Sequence, residues 1–176
     1  GLTFSGSWQE DTYILNGAAE KEEWEARFTY HGFRYVEVHG LPAKPTADSL
    51  DGRVVHTDFP VAGEFECSDP MINAIQRSTA WTYRGNFHGF PEDCPTREKK
   101  GWLGDAHLPT EQAMWNFNNT AGYFKWLTDI RDVQNAEGRL KTITPTDVWG
   151  GEESDWNVAV IIIPWTVYLY TGDTKI

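Results

Sequence analysis

Up to about residue 66 the apolar positions come in short runs of aromatic and β-branched residues cut by turn signals, the texture of strands. Residues 11–15 run into Asn16-Gly17, a strong turn dipeptide. Residues 27–30 and 33–38 are two further strand candidates. In the second, Phe33, Tyr35 and Glu37 face one side and Arg34, Val36 and Val38 the other. Residues 41–52 hold two prolines and Asp51-Gly52 and read as loop, and 53–57 read as one more strand. So few strands cannot close a sandwich, so they are expected to be the end of a larger sheet.

From residue 68 the period lengthens. Ser68 or Asp69 is expected to cap a helix with Pro70 in its first turn, carrying Ile72, Ile75, Thr79 and Tyr83 on one face. A second helix is expected over about 105–117. Thr120 is expected to cap a third, with Phe124, Leu127 and Ile130 inward and Gly138 past its end. Ser154 or Asp155 should start a fourth, which carries Ala159, Val160, Ile163, Val167 and Tyr170 and stops at Gly172. Pro164 should kink that helix or mark its true start. A β segment followed by a run of helices predicts an α+β chain cut from two domains, 1–66 and 67–176.

Composition narrows the function. Among 176 residues, 40% are hydrophobic and 14% aromatic, with nine Trp, so the chain is core-forming. The formal net charge is -11, which opposes binding to nucleic acid or to an anionic membrane surface. Half of the 26 acidic residues but only 5 of the 15 basic ones lie in residues 1–69. The apolar run 158–170 is short and broken by Pro164, so no membrane-spanning helix is expected. The first residues lack the basic-then-apolar pattern of a secretory leader, which leaves location open. Cys67 and Cys94 are too few for an all-cysteine zinc site, and the expectation is two free thiols. His31, His39, His56, His88 and His107 show no ligand spacing, so neither a metal nor a cofactor is expected.

Chemistry concentrates in one loop, Asp93-Cys94-Pro95-Thr96-Arg97-Glu98-Lys99-Lys100-Gly101-Trp102-Leu103-Gly104-Asp105. Three carboxylates and three basic residues share it with an indole. Such density on a loop is where active sites tend to lie. A carboxylate flanked by bases is held ionised as an acceptor; one pressed on an indole is held protonated as an acid. That division of labour suits sugars, which need polar groups for vicinal hydroxyls, an aromatic face for the ring, and an acid for the leaving oxygen. The plainer alternative is a solvated charged loop in which Arg97 pairs with Glu98 or Asp93.

The run resembles the Asp-Cys-Pro-x-Arg-Glu-x-x-Gly-Trp-x-Gly-Asp signature of bacterial α-L-rhamnosidases of glycoside hydrolase family 78. His31-Gly32-Phe33-Arg34-Tyr35-Val36 resembles the last part of the β-sandwich that precedes the catalytic domain in that family. Gly63-Glu64-Phe65-Glu66-Cys67-Ser68-Asp69-Pro70 resembles the entry to its helical domain. Pro164-Trp165 to Gly172-Asp173 looks like a later helix, so the resemblance covers nearly the whole chain. It implies an (α/α)6 barrel for the helical part and hydrolysis of terminal α-L-rhamnosyl bonds with inversion. Carried over, Glu98 matches the general acid, Asp93, Arg97 and Asp105 match residues that bind rhamnose hydroxyls, and Trp102 matches the aromatic beside them. The substrate so implied is a rhamnose-containing glycoside or polysaccharide.

Asp147, Trp149, Asp155 and Trp156 form a second aromatic-acid cluster, from which Trp156 is taken as a site residue and Asp155 as either site residue or helix cap. Glu152 and Glu153 read as solvated loop charges; Lys99 and Lys100 read either as a pair that tunes Glu98 or, the favoured reading, as a solvated pair. An inverting glycosidase also needs a second carboxylate, about 6.5–9.5 Å from the first. In the family that base lies well downstream of the signature. The chain is therefore expected to be an internal fragment, inactive alone, with the remainder of the parent chain as its partner. Two other readings stay open: a non-catalytic carbohydrate-binding or structural piece, and a barrel glycosidase of another specificity. Family habit favours a periplasmic or extracellular setting, with cytoplasmic members known.

Overall fold

The computed structural model describes residues 9–17, 21–145 and 151–176. Among the described residues six α-helices follow one another in the C-terminal two thirds: α1 (Pro70–Gly85), α2 (Leu103–His107), α3 (Thr110–Asn116), α4 (Thr120–Asp132), α5 (Ser154–Asn157) and α6 (Ala159–Thr171). α6 packs against α2, α3 and α4, while α1 leans on α3 and α5 on α2.

The local chemistry of the helix ends explains where they fall. Asp69 caps α1, its carboxylate accepting from the backbone N–H groups of Met71 and Ile72, with Pro70 at the first helical position. Gly172 closes α6 in the left-handed conformation, φ 69°, where a Cβ would be penalised. Four expectations are corrected. The helix expected over 105–117 is two, because Pro109 has no N–H to continue α2 and instead leads α3. The break in the last helix falls at Val158, between α5 and α6, and Pro164 sits inside α6. Thr120 is the first residue of α4, which is preceded by Asn119 and ends at Asp132, short of Gly138. The inward faces also differ: α4 buries Tyr123, Trp126 and Ile130, with Phe124 and Leu127 only part-covered. α1 buries Tyr83 but leaves Ile72 and Ile75 exposed.

The core is aromatic at its centre. Phe59, Tyr83, Phe87, Phe117 and Tyr123 make a chain of ring contacts with centroids 5.0–6.1 Å apart. Each such contact adds about 0.5–1.5 kcal/mol beyond the area it buries. Leu103, Ala113, Trp126, Ile163 and Val167 extend it between α2, α3, α4 and α6. Inside it, Asn119 donates to the Tyr83 hydroxyl at 2.7 Å and Tyr83 to the Tyr123 hydroxyl at 3.1 Å, so the buried polar atoms are paired.

In the N-terminal part the expected strands do not pair with one another. Among the described residues no strand forms; pairing is limited to isolated bridges, Val61 with Phe117, Phe87 with Pro91 and Trp102 with Ile143. Residues 11–15, 27–30, 33–38 and 53–57 form no strand ladder, and Ile14, Phe28, Phe33, Tyr35 and Val54 are exposed. A strand requires a partner at ladder distance, and local alternation alone does not supply one. Gly17 of the Asn16-Gly17 pair has a left-handed backbone, φ 77°, and residues 18–20 lie outside the described residues. Two stretches do dock on the helices. Residues 57–62 lie along them through Thr57 N–H to Phe87 O, Ala62 N–H to Asn116 O, and buried Phe59. Residues 30–32 reach the loop between α1 and α2.

Candidate active site

That loop is tied down at both ends. Asp93 and Lys100 exchange backbone and side-chain bonds: Asp93 N–H donates to Lys100 O at 3.0 Å, and Lys100 N–H to Asp93 Oδ1 at 2.9 Å. Beyond it, residues 101–103 run beside 142–144, with Leu103 N–H to Thr142 O and Thr144 N–H to Gly101 O, both 2.8 Å. Gly101 is required there, since a Cβ would collide with the Thr144 carbonyl. The ladder seats α2, and with it Asp105, on the core.

Glu98 sits between two donors. Arg97 Nη2 reaches Oε1 at 2.8 Å, and the Trp102 indole N–H donates to Oε2 at 2.9 Å. The carboxylate is largely covered while the guanidinium is half exposed. The Glu98 backbone N–H points to Cys94 Sγ at 3.2 Å, and that thiol in turn donates to Asp93 Oδ2 at 3.1 Å. Asp93 thus has one bond on each oxygen and retains a second lone pair on each. Asp105, in the first turn of α2, holds its proton more tightly than an ordinary carboxyl. Desolvation is the main cause, with the charges of Asp93 and Glu98 adding to it, although the residue keeps a solvent-exposed surface. Trp156 lies flat on Gly104, where a Cβ would stand 2.5 Å from the ring, and its indole nitrogen is buried without a partner.

The six site residues read from sequence therefore gather around one loop and one short helix. Arg97, Glu98 and Trp102 are bonded to each other, Asp93 joins through Cys94, the field of Asp105 reaches Asp93 and Glu98, and Trp156 packs one residue from Asp105. Asp147 and Trp149 lie outside the described residues. Asp155 is no cap: Glu153 precedes α5, and Asp155 offers its carbonyl to His107 at 3.3 Å. Glu152 is an exposed surface charge facing Arg139. Cys67 and Cys94 are free thiols. Among the described residues no three His, Cys, Asp or Glu side chains are grouped to hold a metal ion.

Lys99 corrects the reading of a solvated pair. Its ammonium donates to the Tyr30 carbonyl at 2.5 Å and lies 4.4 Å from the centre of the Tyr30 ring. Sequence reasoning also passes over Glu92, which is buried beside the signature. It accepts from the Tyr30 hydroxyl at 2.5 Å and meets His88 Nδ1 at 3.1 Å. Burial, and then the Glu92 carboxylate, hold the Tyr30 phenol well above its usual value. The one sequence signal for Glu92 is a carboxylate directly after the apolar pair Phe90-Pro91; its partner Tyr30 is 62 residues away.

Residues 60–176 match the family model for the bacterial alpha-L-rhamnosidase 6 hairpin glycosidase domain, and residues 3–56 that for the bacterial alpha-L-rhamnosidase concanavalin-like domain. An alpha-L-rhamnosidase of Formosa agariphila is 41% identical over 98% of this chain, and one of Streptomyces avermitilis 40% identical over 94%. The crystal structure of the Streptomyces avermitilis α-L-rhamnosidase complexed with L-rhamnose superposes on 93% of the chain with a TM-score of 0.87 and 39% identity. The structure of the enzyme from Dictyoglumus thermophilum covers 86% with a TM-score of 0.82 and 45% identity. The chain spans 19% and 16% of those two curated relatives and 16% and 17% of those two solved chains. By both matched domains and by the signature loop on which its site is built, the chain belongs to the bacterial α-L-rhamnosidase family.

Proposed function

We propose that this chain is the acid-bearing segment of a longer inverting α-L-rhamnosidase, with the end of a β-sandwich in 1–66 and the first part of an (α/α)6 barrel in 67–176. The observation that carries the reading is Glu98 held between the Arg97 guanidinium and the Trp102 indole N–H at 2.8 and 2.9 Å. Glu98 is the general acid: it gives its proton to the glycosidic oxygen as the bond from that oxygen to the anomeric carbon breaks. For Oε1 to carry that proton, the half-exposed Arg97 swings off it and toward the sugar. Asp93, with lone pairs to spare, and Asp105 accept from rhamnose hydroxyls, Arg97 donates to them, and Trp102 and Trp156 line the ring. Water attacks the opposite face and gives its proton to a carboxylate base from downstream in the parent enzyme. The L-rhamnose bound by the Streptomyces avermitilis relative supports a rhamnose-containing substrate.

Glu98→Gln in the parent enzyme, assayed on benzyl α-L-rhamnoside, whose leaving oxygen needs a proton, tests this. The loss of a general acid lowers turnover by about 10²–10⁴-fold. Unchanged turnover removes Glu98 from that role. The Arg97–Glu98 ion pair also favours a second reading, in which the loop only binds sugar or pairs its own charges. The same variant separates the two, because a binding-only loop loses affinity and leaves turnover intact.

A further inference from the structure

Lys99 follows the proposed acid directly and has a left-handed backbone, φ 53°. A residue with a Cβ adopts that conformation only where its surroundings hold it. What holds it is Tyr30, from the N-terminal part of the chain. The Lys99 ammonium bonds the Tyr30 carbonyl and covers the Tyr30 ring. That ring is itself fixed on all sides. It stacks on His88 with centroids 3.8 Å apart, and its hydroxyl donates to buried Glu92. His88 is pinned in turn by the Val55 carbonyl at 2.9 Å. Two residues on, Gly32 N–H donates to Pro95 O at 3.2 Å, and a Cβ on Gly32 would stand 2.6 Å from Thr96. The N-terminal part therefore meets the signature loop on the side of Lys99, while Trp102 and Arg97 hold the Glu98 carboxylate itself. The left-handed turn at Lys99 sends the chain back so that Lys100 can bond Asp93, which closes the loop around Glu98.

We propose that Lys99 and its Tyr30 platform are positioning residues for the acid, setting the direction in which the Glu98 carboxyl meets the leaving oxygen. Neither touches the sugar. The inference rests on Glu98 being the acid, and it makes the N-terminal part of the chain a working component of catalysis as well as a neighbour of the helical part.

Leaving-group dependence provides the test, in the full-length enzyme. Benzyl α-L-rhamnoside needs its leaving oxygen protonated, whereas the 2,4-dinitrophenyl glycoside departs without help. A misaimed acid slows the first and spares the second; fewer folded molecules slow both equally. Lys99→Met keeps the stem and removes the ammonium. It should lower kcat on the benzyl substrate by about tenfold to a hundredfold, with the dinitrophenyl substrate within about threefold and KM within about twofold. Lys99→Arg should recover most of the loss. Lys99→Gly, which is relaxed at this φ, gives the same comparison should the Met variant fold poorly. Equal losses on both substrates, or none on either, overturn the positioning role. Glu98→Gln runs alongside. If its own loss ignores the leaving group, the acid assignment fails; if it follows the leaving group while Lys99 variants do not, only the clamp fails.

Discussion

Desolvation makes Asp105 keep its proton longer than a free carboxyl, and Asp93 and Glu98 push in the same direction. The folded value lies above the unfolded one, so the contribution to stability is complete below the ordinary carboxyl value of 3.8 and is lost as pH rises through the folded value. At neutral pH the ionised carboxylate is a burden on the fold. Asp105→Asn is therefore expected to raise the melting temperature at pH 7, with the gain shrinking toward zero as pH falls below 4. Thermal melts of both proteins across that range check it; a gain independent of pH would mean that the charge is not the cause. Asp93, Arg97, Glu98, Trp102 and Asp105 were legible in the sequence because they lie within thirteen consecutive residues whose spacing is itself the signal. Glu92 and Lys99 were not, because what distinguishes them is a contact with Tyr30, and no local pattern encodes which distant ring a side chain will meet.

At the scale of elements, the junction of α1, α3 and α4 is the most demanding. Tyr83 and Tyr123 are buried with their hydroxyls bonded, and burial raises both phenols, Tyr123 to about 12. Tyr83→Phe leaves the Asn119 amide without its acceptor and should cost about 1–3 kcal/mol in urea unfolding. The wild-type chain should also lose stability above pH 10, where unfolded phenols ionise and these two do not, at about 1.4 kcal/mol per pH unit for each. Tyr83→Phe should make that alkaline loss shallower, and an unchanged slope would show that Tyr83 does not contribute to it. Two helix ends, the start of α1 at Asp69-Pro70 and the end of α6 at Gly172, were readable because capping acts within one turn. The inward face of α4 was read one residue out of phase, so that Phe124 and Leu127 stood in for Tyr123 and Trp126. The expected strands find no ladder partner among the described residues, since alternation records which face is apolar and leaves open what pairs with the edge.

The whole molecule has a core and, around it, many large apolar side chains that stand exposed. Ile161, Trp165 and Leu169 stand outward on α6, Met71, Ile72, Ile75 and Trp81 on α1, and Trp115 on α3. The N-terminal part adds Ile14, Phe33, Tyr35 and Val54, and Phe28 has no cover at all. A run of such residues on several elements far exceeds the scattered exposed side chains of an ordinary monomer. Membership of a longer enzyme, as proposed above, gives these faces further helices and strands to meet. The isolated 176-residue chain has only itself and water. The charge of -11 resists association at long range, but salt screens it within about 10 Å at 0.1 M, while apolar attraction does not weaken. The chain alone should therefore bind an apolar-sensing dye while folded and elute above its monomer mass of 20.1 kDa, more so as salt is raised. Replacing Ile161 and Trp165 by Gln should reduce both signals and leave the melting temperature nearly unchanged, because neither side chain is buried in the core. A dye-silent monomer at every salt concentration would show that these faces close on one another in solution, and would remove the main physical argument that the segment is built to be covered.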